Sequence, residues 1–257
     1  MQLNHHRTGS GEPLVLIHGV GSQWQVWRPL FEHLAATRDV IAVDLPGFGD
    51  SPPLPGGDHP TPQRLAETVI ALLDSLGVER PDVAGNSLGG WVALEIARLG
   101  RARAVGAISP AGFGLPRERL YAGRRLRAER AVAKLVAAHA PGLVRSAAGR
   151  TVLFGTMTAR PRVIPPGEGL GMLENLGGSP GFDATLNALD RMTFSAGQEI
   201  RVPVNVLWGD RDSLLLPRQA HRAVRVLPDA RLTWLKRAGH VPTYDAPAEI
   251  ARHLLEL

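Results

Sequence analysis

A chain of 257 residues, with a formal net charge of +5, 44% hydrophobic residues and no cysteine, is long enough for one large α/β domain with an insertion. Disulfides, thiolate catalysis and cysteine-held metals are excluded. No apolar run is long enough to span a bilayer, and the polar start Met1–Arg7 lacks the apolar core of a signal peptide. A cytoplasmic location and no integral membrane segment are therefore expected.

Leu3–Arg7 reads as a short strand, and the glycines and proline of 9–13 as a turn. Leu14-Val15-Leu16-Ile17 is a continuous apolar run, the pattern of a strand buried on both faces. The glycine-rich loop His18-Gly19-Val20-Gly21-Ser22 comes next, then a helix over Trp24–Ala36. Val40-Ile41-Ala42-Val43 is the next buried strand and leads into Asp44-Leu45-Pro46-Gly47-Phe48-Gly49. Beyond the proline-rich stretch 52–62, Leu65, Val69, Leu72, Leu73 and Leu76 recur at helical spacing until Gly77. Arg80–Ala84 is a short strand, 90–99 a helix and Ala104–Ile108 a strand.

From about 112 to 197 the alternation stops, and arginine-rich helices and glycine-rich loops take its place. It resumes with the strand Val202–Trp208, a helix near 216–226, the strand Arg231–Leu235 and a last helix over Pro247–Leu255. Alternating strands and helices imply a mostly parallel sheet covered on both faces. The fold class is α/β, with residues 1–111 and 198–257 as the core domain. Residues 112–197 are a helical cap inserted after the fifth to sixth strand.

The basic residues cluster. Between Arg117 and Arg162 there are ten arginines plus Lys134, against Glu118 and Glu129. A nucleic-acid site would usually bring stacking aromatics as well, and this stretch has only Tyr121 and Phe154. No nucleic-acid partner is expected. An anionic substrate or a lipid surface fits better, and a solvated helix face fits best. Arg124, Arg125, Arg127, Arg130 and Lys134 fall largely on one side of a helix. Ala128, Val132, Leu135 and Val136 fall on the other, which is expected to pack onto the cap.

The chemistry centres on Gly85-Asn86-Ser87-Leu88-Gly89. Lying between a strand and a helix, this G-x-S-x-G stretch suits a sharp turn that lifts a serine hydroxyl above the sheet. The competing reading, a glycine-rich turn with a helix-capping serine, leaves the residues nearer the C-terminus unexplained. A serine is a weak nucleophile without a base, and the base needs a third group to fix its tautomer. His240, in Ala238-Gly239-His240-Val241-Pro242, is the histidine in a loop past the last strand. The acid belongs after Trp208, where Asp212 is chosen over Asp210; Asp210 is given a turn-stabilising role. The oxyanion needs preorganised donors. These are assigned to the backbone N–H groups of Leu88, after the nucleophile, and Val20, after the first buried strand.

On these residues the chain resembles the α/β-hydrolase fold family. The motifs run in order: His18-Gly19-Val20-Gly21, Asp44-Leu45-Pro46-Gly47-Phe48-Gly49, Gly85-Asn86-Ser87-Leu88-Gly89-Gly90, Trp208-Gly209-Asp210-Arg211-Asp212 and Gly239-His240-Val241-Pro242 with Asp245. The resemblance implies a mostly parallel sheet, here of about seven strands because so little chain precedes the first buried one. Ser87 sets the chain apart from haloalkane dehalogenases and epoxide hydrolases, which carry aspartate there. The elbow resembles that of hydrolases cleaving carbon–carbon bonds in ring-fission products, but the loop Gly19-Val20-Gly21 lacks their proline. Hydrolysis of a small-molecule carboxylic ester through an acyl-enzyme is the leading expectation. A carbon–carbon hydrolase, thioesterase, lactonase or acyltransferase is the alternative, and a non-catalytic ligand receptor is the alternative of a different class. Phe154, Met157, Met172, Leu173 and Phe182 are expected to line the pocket. No metal and no organic cofactor are implied.

Overall fold

Aliphatic runs pair into a sheet because only there do strands buried on both faces find partners for their backbone groups. The computed structural model describes residues 1–56, 58–227 and 229–257. Its strands are β1 (His5–Gly9), β2 (Glu12–Ile17), β3 (Arg38–Val43), β4 (Asp82–Asn86), β5 (Ala104–Ile108), β6 (Val204–Gly209) and β7 (Arg231–Leu235). They form one seven-stranded sheet in the order β1-β3-β2-β4-β5-β6-β7. Only β1 is antiparallel, with His5 opposite Val43. The remaining pairs are parallel, and Ile17 lies between Val43 and Gly85.

Residue alternation sorts the strands' side chains into two layers. Val15, Ile17, Val83 and Val206 face α2 (Pro62–Ser75) and α3 (Leu88–Arg98), while Leu14, Leu16, Val40 and Leu207 face α1 (Arg28–Leu34) and α10 (Pro247–Leu255). At the N-terminal end of β4 the buried Asp82 accepts from Arg103 at 2.9 and 2.7 Å and from Arg38. Burial alone would raise this carboxyl, but the hydrogen bonds from Arg103 and Arg38 outweigh it and hold the group below the usual carboxylate range.

Several expected elements shift: the strand read over Arg80–Ala84 is Asp82–Asn86, and that read over Val202–Trp208 is Val204–Gly209. The first strand is His5–Gly9 and not Leu3–Arg7; Leu3 is instead buried in the core. The helix expected over Trp24–Ala36 is a 3-10 turn, Trp24–Trp27, followed by α1. Pro29 is the reason. It has no N–H for a continuous helix, and it sits in the first turn of α1, where none is needed.

The insertion lies between β5 and β6. It comprises α4 (Pro116–Val136), α5 (Ala140–Arg145), α6 (Ala147–Phe154), α7 (Pro166–Gly178) and α8 (Phe182–Leu189); α9 (Arg218–Val226) then returns to the sheet. α4 buries Ala122, Gly123, Leu126 and Ala133, with Glu118 at its root. The side expected to pack, with Ala128, Val132 and Leu135, is the exposed one. The buried side is the one that carries the small residues Ala122, Gly123 and Ala133, and at Gly123 a Cβ would stand only 2.6 Å from Asp190 Oδ1.

The root of the insertion is clamped by charge. Glu118 accepts from the N–H of Leu115 at 2.8 Å and from Arg218 and Arg222 of α9, and Arg222 also donates to the carbonyl of Phe113 at 2.7 Å.

Candidate active site

The loops that follow β2, β4, β6 and β7 all leave the same edge of the sheet, the carboxyl ends of the parallel strands, where open α/β sheets gather their sites. Ser87 is in the turn between β4 and α3, with φ 58° and ψ −117°. This left-handed backbone is strained for a serine and is held by its surroundings. Ser87 N–H donates to Ile108 at 2.9 Å, and its carbonyl accepts from Ala111 at 2.9 Å and Trp91 at 3.2 Å. The flanking glycines are needed for close approach: a Cβ at Gly85 would strike the carbonyl of Gly89, and one at Gly89 would strike that of Ile17.

His240 lies in the loop after β7 and is buried. Its Nδ1 is 2.8 Å from Asp212 Oδ2. The other oxygen of Asp212 accepts from Leu214 N–H at 2.9 Å and Leu215 N–H at 2.8 Å. The carboxylate is thus fixed from behind, and the Nε2 of His240 is left clear of it. Asp210 is exposed and accepts from Ala238 N–H at 3.3 Å.

Gly19 stands beside the serine: a Cβ on it would be 3.1 Å from Ser87 Cβ and 3.6 Å from Oγ. Val20 lines the same cavity as Ser87 and His240. Leu88 opens α3, where a first-turn N–H has no acceptor within the helix. The Gly19–Val20 loop is pinned by the buried His18. Leu45 N–H donates to its Nε2 at 2.9 Å, so Nδ1 carries the proton and donates to the carbonyl of Gly19 at 2.7 Å. Burial lowers the pKa of this imidazole against the opposing pull of Asp44, so it remains neutral.

A cavity of about 440 Å³ opens above Ser87 and His240, largely apolar in its lining. Phe154, Met157, Met172 and Leu173 are in its wall. Phe182 is not among the lining residues. It is buried behind them, with its ring 3.4 Å from where a Cβ of Gly21 would stand and the Arg130 guanidinium 4.6 Å above it. An aromatic at the start of a helix of the insertion can serve core or cavity, and the backbone path of 19–22 puts this one in the core.

The fold also brings in residues that spacing did not single out. Asn86 donates from Nδ2 to His240 O at 2.9 Å and to Ile108 O at 3.1 Å, tying the elbow to the histidine loop. Asp245 accepts from Gly239 N–H at 2.8 Å, Thr158 Oγ1 at 2.6 Å, Ala159 N–H at 2.9 Å and Arg160 N–H at 2.7 Å. It therefore binds the loop of His240 to residues 158–160 of the insertion. Val241 N–H adds a 2.8 Å bond to Met157 O. Next to it, the Tyr244 hydroxyl donates to Glu168 of α7. Burial, then the Glu168 carboxylate, drives this phenol's pKa far above its usual value, so it remains a donor. Asn86 and Asp245 lie inside motifs visible in the sequence, but only the fold shows what they join.

A strained serine at a strand-to-helix turn, a carboxylate-held imidazole and a doubly wound sheet define an α/β protein of the hydrolase type. The chain belongs to the alpha/beta hydrolase family, whose model matches residues 14–253. It is 32% identical over 95% of its length to the dihydrolipoyllysine-residue acetyltransferase component of the acetoin cleaving system of Pseudomonas putida, and it spans 63% of that relative's length. A 2-hydroxymuconate semialdehyde hydrolase of Pseudomonas sp. (strain CF600) is 36% identical over 45% of this chain and 42% of its own. Among solved structures, a thermophilic esterase from Thermogutta terrifontis superposes with a TM-score of 0.75 at 23% identity, covering 99% of this chain and 92% of that one.

Proposed function

We propose that the protein is a serine hydrolase that cleaves carboxylic esters through Ser87, His240 and Asp212. The observation that carries this reading is the pairing at the cavity floor. Ser87 is lifted on a strained elbow beside His240, whose Nδ1 is 2.8 Å from Asp212. Ser87 Oγ attacks the acyl carbonyl and its proton passes to Nε2 of His240. The backbone N–H groups of Val20 and Leu88 receive the oxyanion. The intermediate collapses as the alcohol leaves, taking its proton from His240. Water then gives a proton to His240 and its oxygen to the acyl carbon, and the acid departs as Ser87 is reprotonated. Residues 112–197 act as the cap, and Phe154, Met157, Met172 and Leu173 favour an apolar acyl or alcohol group.

The test is hydrolysis of p-nitrophenyl esters of graded acyl length, with a fluorophosphonate adduct mapped to Ser87 by mass spectrometry. Ser87→Ala should remove both. Absence of ester turnover and of labelling in folded protein would refute the assignment. A second reading, hydrolysis of a carbon–carbon bond, is supported by the Gly-Asn-Ser-Leu-Gly-Gly elbow and by the semialdehyde hydrolase relative. Turnover of a dienoate ring-fission product at Ser87, without ester turnover, would transfer the assignment to that reaction.

A further inference from the structure

The charge of the molecule is unevenly placed. Residues 112–197 hold twelve of the 29 basic side chains and six of the 24 acidic ones, so the net charge of +5 rests on this segment. Much of its apolar surface is also uncovered. Leu135 is 82% exposed and Val152 is 80% exposed. On α4 the exposed Arg117, Leu120, Tyr121 and Arg124 continue at helical spacing into Ala128, Val132 and Leu135, one stripe along the helix.

This stripe contains no acidic residue. Its flanking arginines are neutralised, Arg127 by Asp190 at 2.8 Å and Arg130 by Asp183 at 2.5 Å. Among the described residues Arg117 and Arg124 form no ion pair, and with Leu120 and Tyr121 they line a shallow groove. The stripe runs past the cavity. Val132 on α4 and Val152 on α6 are both exposed and both line it, so they flank its mouth. Arg162, beside α6, reaches Thr151 next to Val152.

A helix face of exposed leucine, valine and tyrosine carrying unpaired arginines has the chemistry of a surface that rests on a bilayer. Apolar side chains enter the acyl boundary, and guanidinium groups meet anionic headgroups. A second copy of the chain is the poorer occupant. Two such stripes facing each other across a two-fold axis would oppose arginine to arginine with no carboxylate between them.

We infer that the outer face of α4, with Val152, docks on an anionic lipid surface and presents the cavity mouth to it. An amphiphile can then pass from the bilayer into the cavity without crossing water. The docking itself does not depend on which bond is cleaved.

The experiment is co-sedimentation of the whole protein with vesicles of phosphatidylcholine alone and of phosphatidylcholine mixed with phosphatidylglycerol, at low salt and above 0.1 M. The probes are Leu120→Asp, Leu135→Asp and Arg124→Glu, none of which lines the cavity. Binding is expected to the anionic vesicles and to weaken with salt. Arg124→Glu should lower partitioning about fivefold or more, and Leu135→Asp about tenfold. Turnover of a water-soluble short-chain ester should be unchanged in all three, so loss of docking and loss of catalysis are read separately. Equal partitioning to neutral and anionic vesicles would overturn the proposal. So would a dimer in sedimentation velocity that Leu135→Asp dissolves.

Discussion

Asp82 at the foot of the sheet and Glu118 at the root of the insertion are both carboxylates gripped by two arginines, but the regions they serve are built differently. The sheet buries its apolar residues in two full layers, and Asp82 closes the end opposite the cavity. The insertion leaves Leu135 and Val152 uncovered and is joined to the rest by the apolar contacts of Leu126, Phe182, Leu186 and Phe194 with the core and by polar clamps: Glu118 to α9, Asp245 to residues 158–160, and Glu168 to Tyr244. In the proposed reaction Ser87, Asp212 and His240 stand on the first region, while Phe154, Met157, Met172 and Leu173 of the cavity wall come from the second. This division makes separable demands on mutants. Core changes should act on rate or on global stability, and clamp changes on the relation between the two regions.

After Ser87 itself, the largest effect is expected at Asp212. Asp212→Asn should lower kcat by about 10⁴-fold, since the amide cannot hold the reactive tautomer of His240. Asp210→Asn, at an exposed turn, should remain near wild type. Steady-state ester kinetics with circular dichroism as a folding control decide between them. A greater loss at Asp210 would break the assignment of chemistry to the buried carboxylate.

The core was the more legible region for the same physical reason. Parallel strands buried on both faces leave unbroken apolar runs such as Leu14–Ile17, and glycines mark close approaches such as Gly85 and Gly89. Both survive in sequence. The orientation of α4 was not legible, because apolar residues lie on both of its sides. The buried side is the one with Ala122, Gly123 and Ala133, and the tight contact of Gly123 is with Asp190, far along the chain. The role of Phe182 was hidden likewise, since the path of the loop under its ring cannot be read from its neighbours. Asn86 and Asp245 could be located within motifs, but their work is to join segments 154 and 87 residues apart.

Asp82→Asn tests the core from its far end. It leaves Arg38, largely buried, without its counter-charge, a loss of about 3–5 kcal/mol. Denaturant unfolding should show that loss, while kcat below the transition stays at the wild-type value. Because the folded carboxyl titrates below its unfolded value, the stability it contributes is present above about pH 3.9 and is lost as pH falls through the folded value. Wild-type stability from this group should therefore be flat from pH 8 to 5. A changed kcat would tie the foot of the sheet to the site and break the separation.

Asp245→Ala should lower kcat about 10- to 100-fold, the scale of a displaced reacting group. Asp245 touches no reacting atom; it positions the loop of His240 through Gly239. Asp245→Asn, which keeps an acceptor, should recover part of the loss. If Asp245 were merely structural, both variants would lose stability in parallel and their kcat in the folded state would match wild type.

The smallest effect is expected at Glu118. Glu118→Gln keeps the shape but removes the charge that Arg218 and Arg222 share, and so loosens the root of α4 without touching the cavity. KM for bulky esters should rise about five- to tenfold, the worth of one ordinary hydrogen bond, and kcat should change less than about twofold. The pH dependence sharpens this. Burial would raise the Glu118 carboxyl, but the hydrogen bonds from Arg218 and Leu115 N–H and the charge of Arg222 outweigh it and lower its pKa. The clamp therefore holds above the ordinary glutamate value of about 4.3 and is lost only as pH falls through the depressed one. The gap in KM between wild type and variant should stay constant from pH 8 to 5. A gap that closes across that range would mean that another group secures the insertion, and that insertion and core are coupled more tightly than their clamps indicate.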